Sequence, residues 1–219
     1  MPRTTLALNS FVSGEFSAKM DGRVDFEKYS SGTKTLQNFL VHPQGAATRR
    51  VGTQFIAEVK NSAKKVRLIP FEFSTTQTYI LEFGDQYMRV YKDKGQVLSG
   101  GSPFEISTPY LEAELFDLKF AQSADVLYIC HPNHDVRKLS RTGHTSWTLA
   151  TVSFTQSGGA TITISGANNR PSCVSFFEQR LVFANTINNP QTLWFSKAGD
   201  YENFTTGTNA DDAMIYTIA

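Results

Sequence analysis

The chain has 219 residues, enough to bury a sizeable core in one large or two small domains. Its formal net charge is +1, from 21 Lys and Arg against 20 Asp and Glu, which excludes a global field drawing it to nucleic acid or to an acidic membrane surface. Hydrophobic residues make up 40% and charged residues 19%, an ordinary globular mixture that leans toward aromatics, with 17 Phe and 8 Tyr.

The opening MPRTTLALNSFVSGEFSAKM has no continuous apolar segment of the signal-peptide kind. No run approaches the roughly 18 apolar residues that a membrane span requires. Cys130 and Cys173 are too few for a disulfide framework, and each lies in an apolar, strand-like run where a free thiol packs as a small hydrophobe. These features predict a soluble protein made in a reducing cytoplasm.

Residues 1–22 are small, polar and aperiodic, with Phe11 and Phe16 as isolated anchors, and read as an extended arm ordered only by lying against something else. Over residues 23–62 the pattern predicts a short helix around Thr33–Phe39, a turn at Pro43-Gln44-Gly45, and a strand over Gln54–Val59. Arg49 and Arg50 lie between turn and strand. They suit either a solvated loop edge or a subunit or phosphate contact.

From residue 63 onward the chain reads as strand after strand, in short β-branched and aromatic runs with polar breaks. The first set is Val66–Phe73, Tyr79–Phe83 and Tyr87–Tyr91. The second is Leu115–Phe120, Val126–Cys130, Val136–Leu139 and Trp147–Phe154. The third is Cys173–Phe177, Arg180–Ala184, Thr192–Ser196 and Glu202–Phe204. Basic tight turns ending in Gly95, Gly143 and Gly199 recur at intervals of 48 and 56 residues.

A period near that value with about four short strands per unit is the arithmetic of β-propeller blades. The reading is therefore a mainly β chain, a propeller-like array of about three small antiparallel sheets over residues 63–109, 110–170 and 171–219, behind an N-terminal segment of residues 1–62. Phe71/Phe73, Phe116/Phe120 and Phe176/Phe177 are expected to fill the wedges between blades. Thr155–Arg170, which contains TITIS, reads as a projecting hairpin or loop. Met214–Ile218 looks like the first strand of a fourth unit. Because about four to eight blades close a propeller, the missing strands come from a longer product or from a partner, and a longer product is the expectation.

Chemistry is thin. Cys130-His131-x-x-His134, with His144 ten residues on, is the most suggestive metal constellation. Pro132 and Asn133 make it a hairpin tip, however, and no CxxC partner exists, so no metal is expected. Ser140–Trp147 loosely resembles the Asp-box turn of sialidase-type propellers but lacks the Asp. Glu112, Glu114, Asp117 and Asp125 have ordinary surface spacing rather than that of a glycosidase pair. Asp211-Asp212 is too sparse for a calcium loop. No phosphate-binding glycine loop and no nucleophile elbow occur. The chain reads as a non-enzyme without cofactors.

Several short motifs form an ordered series: Gly22-Arg-Val-Asp25, Tyr29-Ser-Ser-Gly32, Asn38-Phe39, His42-Pro-Gln-Gly45 and Arg49-Arg50-Val-Gly-Thr53. Phe177-Glu-Gln-Arg-Leu181, Ser196-Lys-Ala-Gly-Asp200, Asn203-Phe204, Asp211-Asp212-Ala213 and Tyr216-Thr-Ile-Ala219 continue it. In order and spacing it resembles the tail nozzle (tail tubular B, or stabilisation) proteins of short-tailed bacteriophages. The likeness spans nearly the whole chain, least over residues 155–170. Val51 departs from it, since the family commonly has proline after the Arg pair.

The resemblance implies a structural virion protein, made in the host bacterial cytoplasm and located in the tail. Such a protein forms a homo-oligomeric ring, hexameric as a rule, below the adaptor and portal. It meets tail fibres as well and encloses the channel through which phage DNA passes. It also implies that Arg23, Asp25, Tyr29, Arg49 and Arg50 make subunit or adaptor contacts. The competing reading is a propeller-type module that binds host-surface glycan through exposed aromatics such as Trp147 and Tyr110.

Overall fold

The computed structural model describes residues 7–156 and 164–218. The chain divides into two compact units, with the boundary between Phe55 and Ile56.

The N-terminal unit is built from short pieces because its small polar segments have little apolar surface to bury. The predicted arm is tied into its own unit. Strand β1 (Gly14–Glu15) runs parallel to β2 (Gly32–Thr33), and the Phe11 amide donates to the Gly45 carbonyl at 2.8 Å. Two 3-10 turns, Ala18–Met20 and Glu27–Ser31, are its helical content. The helix expected over Thr33–Phe39 does not form: Thr33 ends β2 and Phe39 opens β3 (Phe39–Val41). Asn38 stands at φ 62°, a conformation no right-handed helix contains. The hairpin of β3 with β4 (Ala47–Arg49) turns at Pro43-Gln44-Gly45 as expected, and Gly45 supplies a φ of 102°. Gln54–Val59 forms no strand; its alternation has no partner to pair with.

The second unit carries the sheets. The first sheet has the order β11-β7-β6-β5, from β5 (Arg67–Glu72), β6 (Thr78–Gly84), β7 (Tyr87–Lys92) and β11 (Glu105–Ser107). The short β8 (Gly95–Gln96) also pairs with β7, and β9 (Leu98–Ser99) with β10 (Ser102–Pro103) makes a separate small hairpin. Pro70 is tolerated because β5 is an edge strand. The second sheet is a meander of β12 (Lys119–Ser123), β13 (Val126–His131), β14 (His134–Gly143) and β15 (Ser146–Thr151). The third is a meander of β16 (Cys173–Phe177), β17 (Arg180–Ala184), β18 (Thr192–Phe195) and β19 (Met214–Thr217). Pairing within all three is antiparallel.

Period-2 alternation assigns the core. Ile69, Phe71, Tyr79, Leu81, Phe83, Met88 and Val90 of the first sheet pack with Leu127, Ile129, Leu139 and Trp147 of the second. On the other face of the second sheet, Tyr128, Cys130 and Val136 join Leu181, Phe183 and Trp194 of the third, with Phe204 and Ile164. The middle sheet is thus buried on both faces, which is why β13 reads as the unbroken apolar run VLYIC.

Several sequence expectations are corrected. The segment Leu115–Phe120 is not a strand from its start: a 3-10 turn at Glu112–Glu114 precedes it, Leu115 and Leu118 are buried on the connector, and pairing begins at Lys119. Gly143 lies at the end of β14 rather than closing a turn begun at Ser140. Glu202–Phe204 is not a strand; Asn203 bridges to Thr155 and Phe204 is buried against Phe154 and Phe183. Met214–Thr217 is the fourth strand of the third sheet rather than the start of a fourth unit, with Phe195 opposite Met214 and Leu193 opposite Tyr216.

Of the three phenylalanine pairs, one member of each packs inward (Phe71, Phe120, Phe176), while Phe73, Phe116 and Phe177 are exposed. Cys130 is buried as expected, but Cys173 is exposed. Most of the TITIS stretch lies outside the described residues. No helix among the described residues is long and apolar enough to cross a membrane.

Candidate functional site

The five residues singled out for contacts all lie in the N-terminal unit, and the structure sorts them into three roles. Arg23 closes a two-toothed bond on Asp25, with Nε to Oδ1 at 2.8 Å and a terminal nitrogen to Oδ2 at 2.7 Å. Each group shifts the other: the Asp25 carboxylate raises the guanidinium and is itself held below its ordinary range. Both side chains are well over half exposed, so the pair fixes a loop shape more than it stabilises the fold.

Tyr29 works inward. Its ring stacks on Phe16 at 5.8 Å, with Phe26 edge-on to Phe16 at 6.3 Å, and its hydroxyl accepts the Gly22 amide at 3.1 Å. Gly32 sits beneath Phe16, where a Cβ would come within 2.1 Å of the ring, so Tyr29-Ser-Ser-Gly32 is a packing motif. Arg49 occupies β4 opposite Phe39, and the Arg50 amide donates to the Asn38 carbonyl at 2.8 Å, closing the hairpin base. Their guanidinium groups are exposed and make no hydrogen bond or ion pair among the described residues. Lys19 and Lys28 of the same unit likewise have no ion-pair partner among the described residues, but they are not adjacent in sequence as the two arginines are.

Beside them the surface is apolar. Phe39, Leu40 and Val51 flank the pair and are exposed, Val51 at 83%. Leu8, Val12, Val24 and Phe26 are exposed in the same unit. Exposed apolar residues around unpaired arginines have the composition of a protein contact.

In the sheet unit the polar groups that sequence reading treated as solvated are mostly structural. Asp125 accepts Arg141 Nε at 2.9 Å, and the Arg141 guanidinium lies 3.9 Å from the Phe73 ring centre. Glu112 accepts the Lys65 amide at 2.9 Å. Glu114 accepts from His134 Nε2, the Leu111 amide and Asn133 Nδ2. Burial alone would raise the Glu114 carboxyl, but these donors outweigh it and hold it down to about 2. Asp117 is exposed.

Two arginines that hold backbone carbonyls are not evident from the sequence, Arg180 buried and Arg67 half-buried. Arg67 donates to the Leu115 and Leu118 carbonyls, and Arg180 to the Ser196, Ala210 and Asp212 carbonyls. The available signal was an Arg opening an apolar strand, as in RLIPF and RLVFA.

A cleft of about 530 Å³ lies on the outer face of the first sheet, walled by Ile56, Val59, Leu68, Ile80, Glu82 and Tyr91. Glu82 is buried and accepts the Tyr87 hydroxyl at 2.6 Å and the Tyr91 hydroxyl at 2.5 Å. Burial and the Glu82 hydrogen bond push the Tyr91 hydroxyl up to about 12 and raise Tyr87 as well. Two hydroxyl donors locked on one carboxylate make a rigid polar ladder. Trp147 and Tyr110 are both buried, so neither presents the exposed ring on which glycan recognition was based. No protein-family model matches the chain, and no curated protein matches it.

Proposed function

We propose that this chain is a structural component of a short-tailed phage tail, a subunit of the ring-shaped nozzle below the adaptor through which DNA leaves. The observation that carries this reading is the N-terminal surface where exposed Arg49 and Arg50 sit among exposed Phe39, Leu40 and Val51. Apolar contact with arginine anchors is what a subunit or adaptor interface requires. The ordered motif series supports the same reading, because several of its first members, those before residue 56, fall on the turns and packing positions of this unit. Tyr29 and Gly32 hold the aromatic stack and Pro43–Gly45 makes the hairpin turn.

Three successive antiparallel sheets, one of five strands and two of four, with shared cores suit blades of a propeller-like ring wall. A middle sheet packed on both faces resists shear, which a conduit under load needs. The near-zero net charge suits a bore that lets DNA pass without tight phosphate contacts.

The test is assembly. The purified chain, alone and mixed with a tail adaptor from the same source, is expected to form rings by negative-stain microscopy and light scattering. The same chain is expected in purified virions by mass spectrometry. The double variant Arg49→Glu/Arg50→Glu is expected to lose assembly by at least about tenfold while keeping its circular dichroism spectrum. A chain that stays monomeric with adaptor present and is absent from particles overturns the proposal.

A further inference from the structure

We infer that Glu114, His131 and His134 form a binding site for a divalent transition-metal ion of the zinc class, stapling the connector between the first two sheets to the β13–β14 hairpin. Sequence spacing pointed to Cys130 as the partner of the two histidines. The fold supplies a different third group. Alternation along β13 sends the Cys130 side chain into the core shared with the third sheet, where it is fully buried. Glu114 arrives instead from the 3-10 turn that follows Tyr110.

The geometry is convergent. Pro132-Asn133 forms a two-residue connection, so His131 and His134 are direct cross-strand partners, with ring centres 5.3 Å apart. One donor atom from each of Glu114, His131 and His134 lies within 4.8 Å of the others. His134 Nε2 and Glu114 Oε2 are 2.8 Å apart, and the remaining Glu114 lone pairs are fixed by Asn133 Nδ2 at 3.1 Å and the Leu111 amide at 3.0 Å. The ring of Tyr110 stands edge-on to His134 at 5.2 Å, an apolar wall on one side of the cluster. The Glu114 and His134 side chains keep 15% and 21% exposure, which leaves a solvent-facing direction for a further ligand.

A second observation is independent of the spacing. His131 is 2% exposed, and its Nε2 has no hydrogen-bond partner among the described residues. A buried imidazole nitrogen without a partner is rare and points to one supplied from outside the chain. Two imidazoles and one carboxylate suit zinc and its neighbours in the first transition row and do not suit calcium or magnesium, which demand oxygen ligands.

Uptake carries a local cost. The cation replaces the proton between His134 and Glu114. It also disturbs the 3.1 Å bond from the Asn133 amide to His131 Nδ1, because either that lone pair turns to the ion or the ring changes tautomer. The affinity is accordingly moderate, on the order of micromolar rather than nanomolar.

The experiment uses the whole chain stripped with chelator and titrated with zinc chloride by calorimetry at about pH 7.5, with cobalt(II) as a spectroscopic probe. The expected result is one zinc per chain, a cobalt visible spectrum of low coordination number, and a raised melting temperature. Glu114→Gln and His134→Gln are each expected to weaken binding at least about tenfold with unchanged circular dichroism. The double variant His42→Ala/His144→Ala is expected to bind as the parent does.

Three results overturn the inference: no stoichiometric zinc binding at about 100 μM, binding that survives both Glu114→Gln and His134→Gln, or calcium binding as well as zinc. The cobalt spectrum of the unmodified chain keeps the test decisive even where a variant folds poorly.

Discussion

The two units of this chain are held together in different ways. In the sheet unit, apolar side chains from neighbouring sheets fill two cores, and Ile69, Phe71, Leu81, Phe83, Leu127 and Phe183 have no exposed surface. In the N-terminal unit no large hydrophobic side chain among the described residues is fully buried. That unit relies on backbone hydrogen bonds between short pieces, one stacked aromatic cluster and two exposed ion pairs, Arg23–Asp25 and Lys34–Asp21. Burial drives folding, and hydrogen bonds exchanged with water contribute modestly. The sheet unit therefore carries its own stability, while the N-terminal unit is stable only marginally and presents apolar surface for something else to cover. A region built this way suits assembly, because binding supplies the missing burial.

The sharpest way to break this contrast is to delete one ring from each unit. Phe183→Ala removes a fully buried ring that packs against Phe154 and Phe204, and is expected to cost about 3–5 kcal/mol of global stability. Phe16→Ala removes the ring that joins Tyr29 and Phe26. It is expected to leave the main thermal transition in place and to speed proteolysis within residues 7–55. Calorimetry and limited proteolysis on both variants read the two outcomes separately. If Phe16→Ala lowered the main transition as far as Phe183→Ala did, the units would be one cooperative body.

Next in size is Arg180. Its guanidinium is buried and donates to three carbonyls, of Ser196 at 2.7 Å and of Ala210 and Asp212 at 2.6 Å each. It thereby fixes the loop that returns the chain to β19. Arg180→Met keeps the stem and strands the carbonyls, with an expected loss of about 2–3 kcal/mol in chemical denaturation. Arg180→Lys is expected to recover only part of it, because one ammonium cannot reproduce the planar fork. Full rescue by lysine would mean that charge rather than geometry fixes the loop.

How far the sequence could be read follows the same division. Strands β16 and β17 are predicted to the residue, because CVSFF and RLVFA are apolar runs of strand length set off by polar breaks. Their turn, Glu178-Gln179, carries no glycine or asparagine although both residues stand at positive φ, so only the gap between the runs revealed it. The N-terminal unit was read poorly because nothing periodic governs it. Thr33–Phe39 spaces its apolar residues like a helix, yet the conformation is set by the hairpin bond from Arg50 to Asn38. Arg49 and Arg50 were found by their charge and adjacency. Glu114 reads as a surface carboxylate because its partners His134 and Asn133 lie about twenty residues away in sequence and meet it only through the fold.

The smallest expected effect concerns two carboxylates with similar partners and unequal surroundings. Asp135, at the start of β14, accepts the Gly166 amide at 2.9 Å and Arg170 Nε at 3.0 Å, and these hold its carboxyl below the ordinary range. A carboxyl depressed in the folded state contributes stability that is present above its unfolded value, near pH 4, and is lost as pH falls through the lower folded value. Asp135→Asn is therefore expected to flatten the acid limb of the stability curve below about pH 4. At neutral pH it should cost on the order of 0.5 kcal/mol, a modest figure because the side chain is partly exposed. Asp25 is also held down, by Arg23, yet it stands in open solvent in a unit without a core. Asp25→Asn is expected to leave the acid limb of the sheet unit unchanged, as read by tryptophan fluorescence of Trp147 and Trp194, both of which lie in that unit. A shift of that limb by Asp25→Asn equal to the shift by Asp135→Asn would show that the acid stability of the sheets depends on the N-terminal unit.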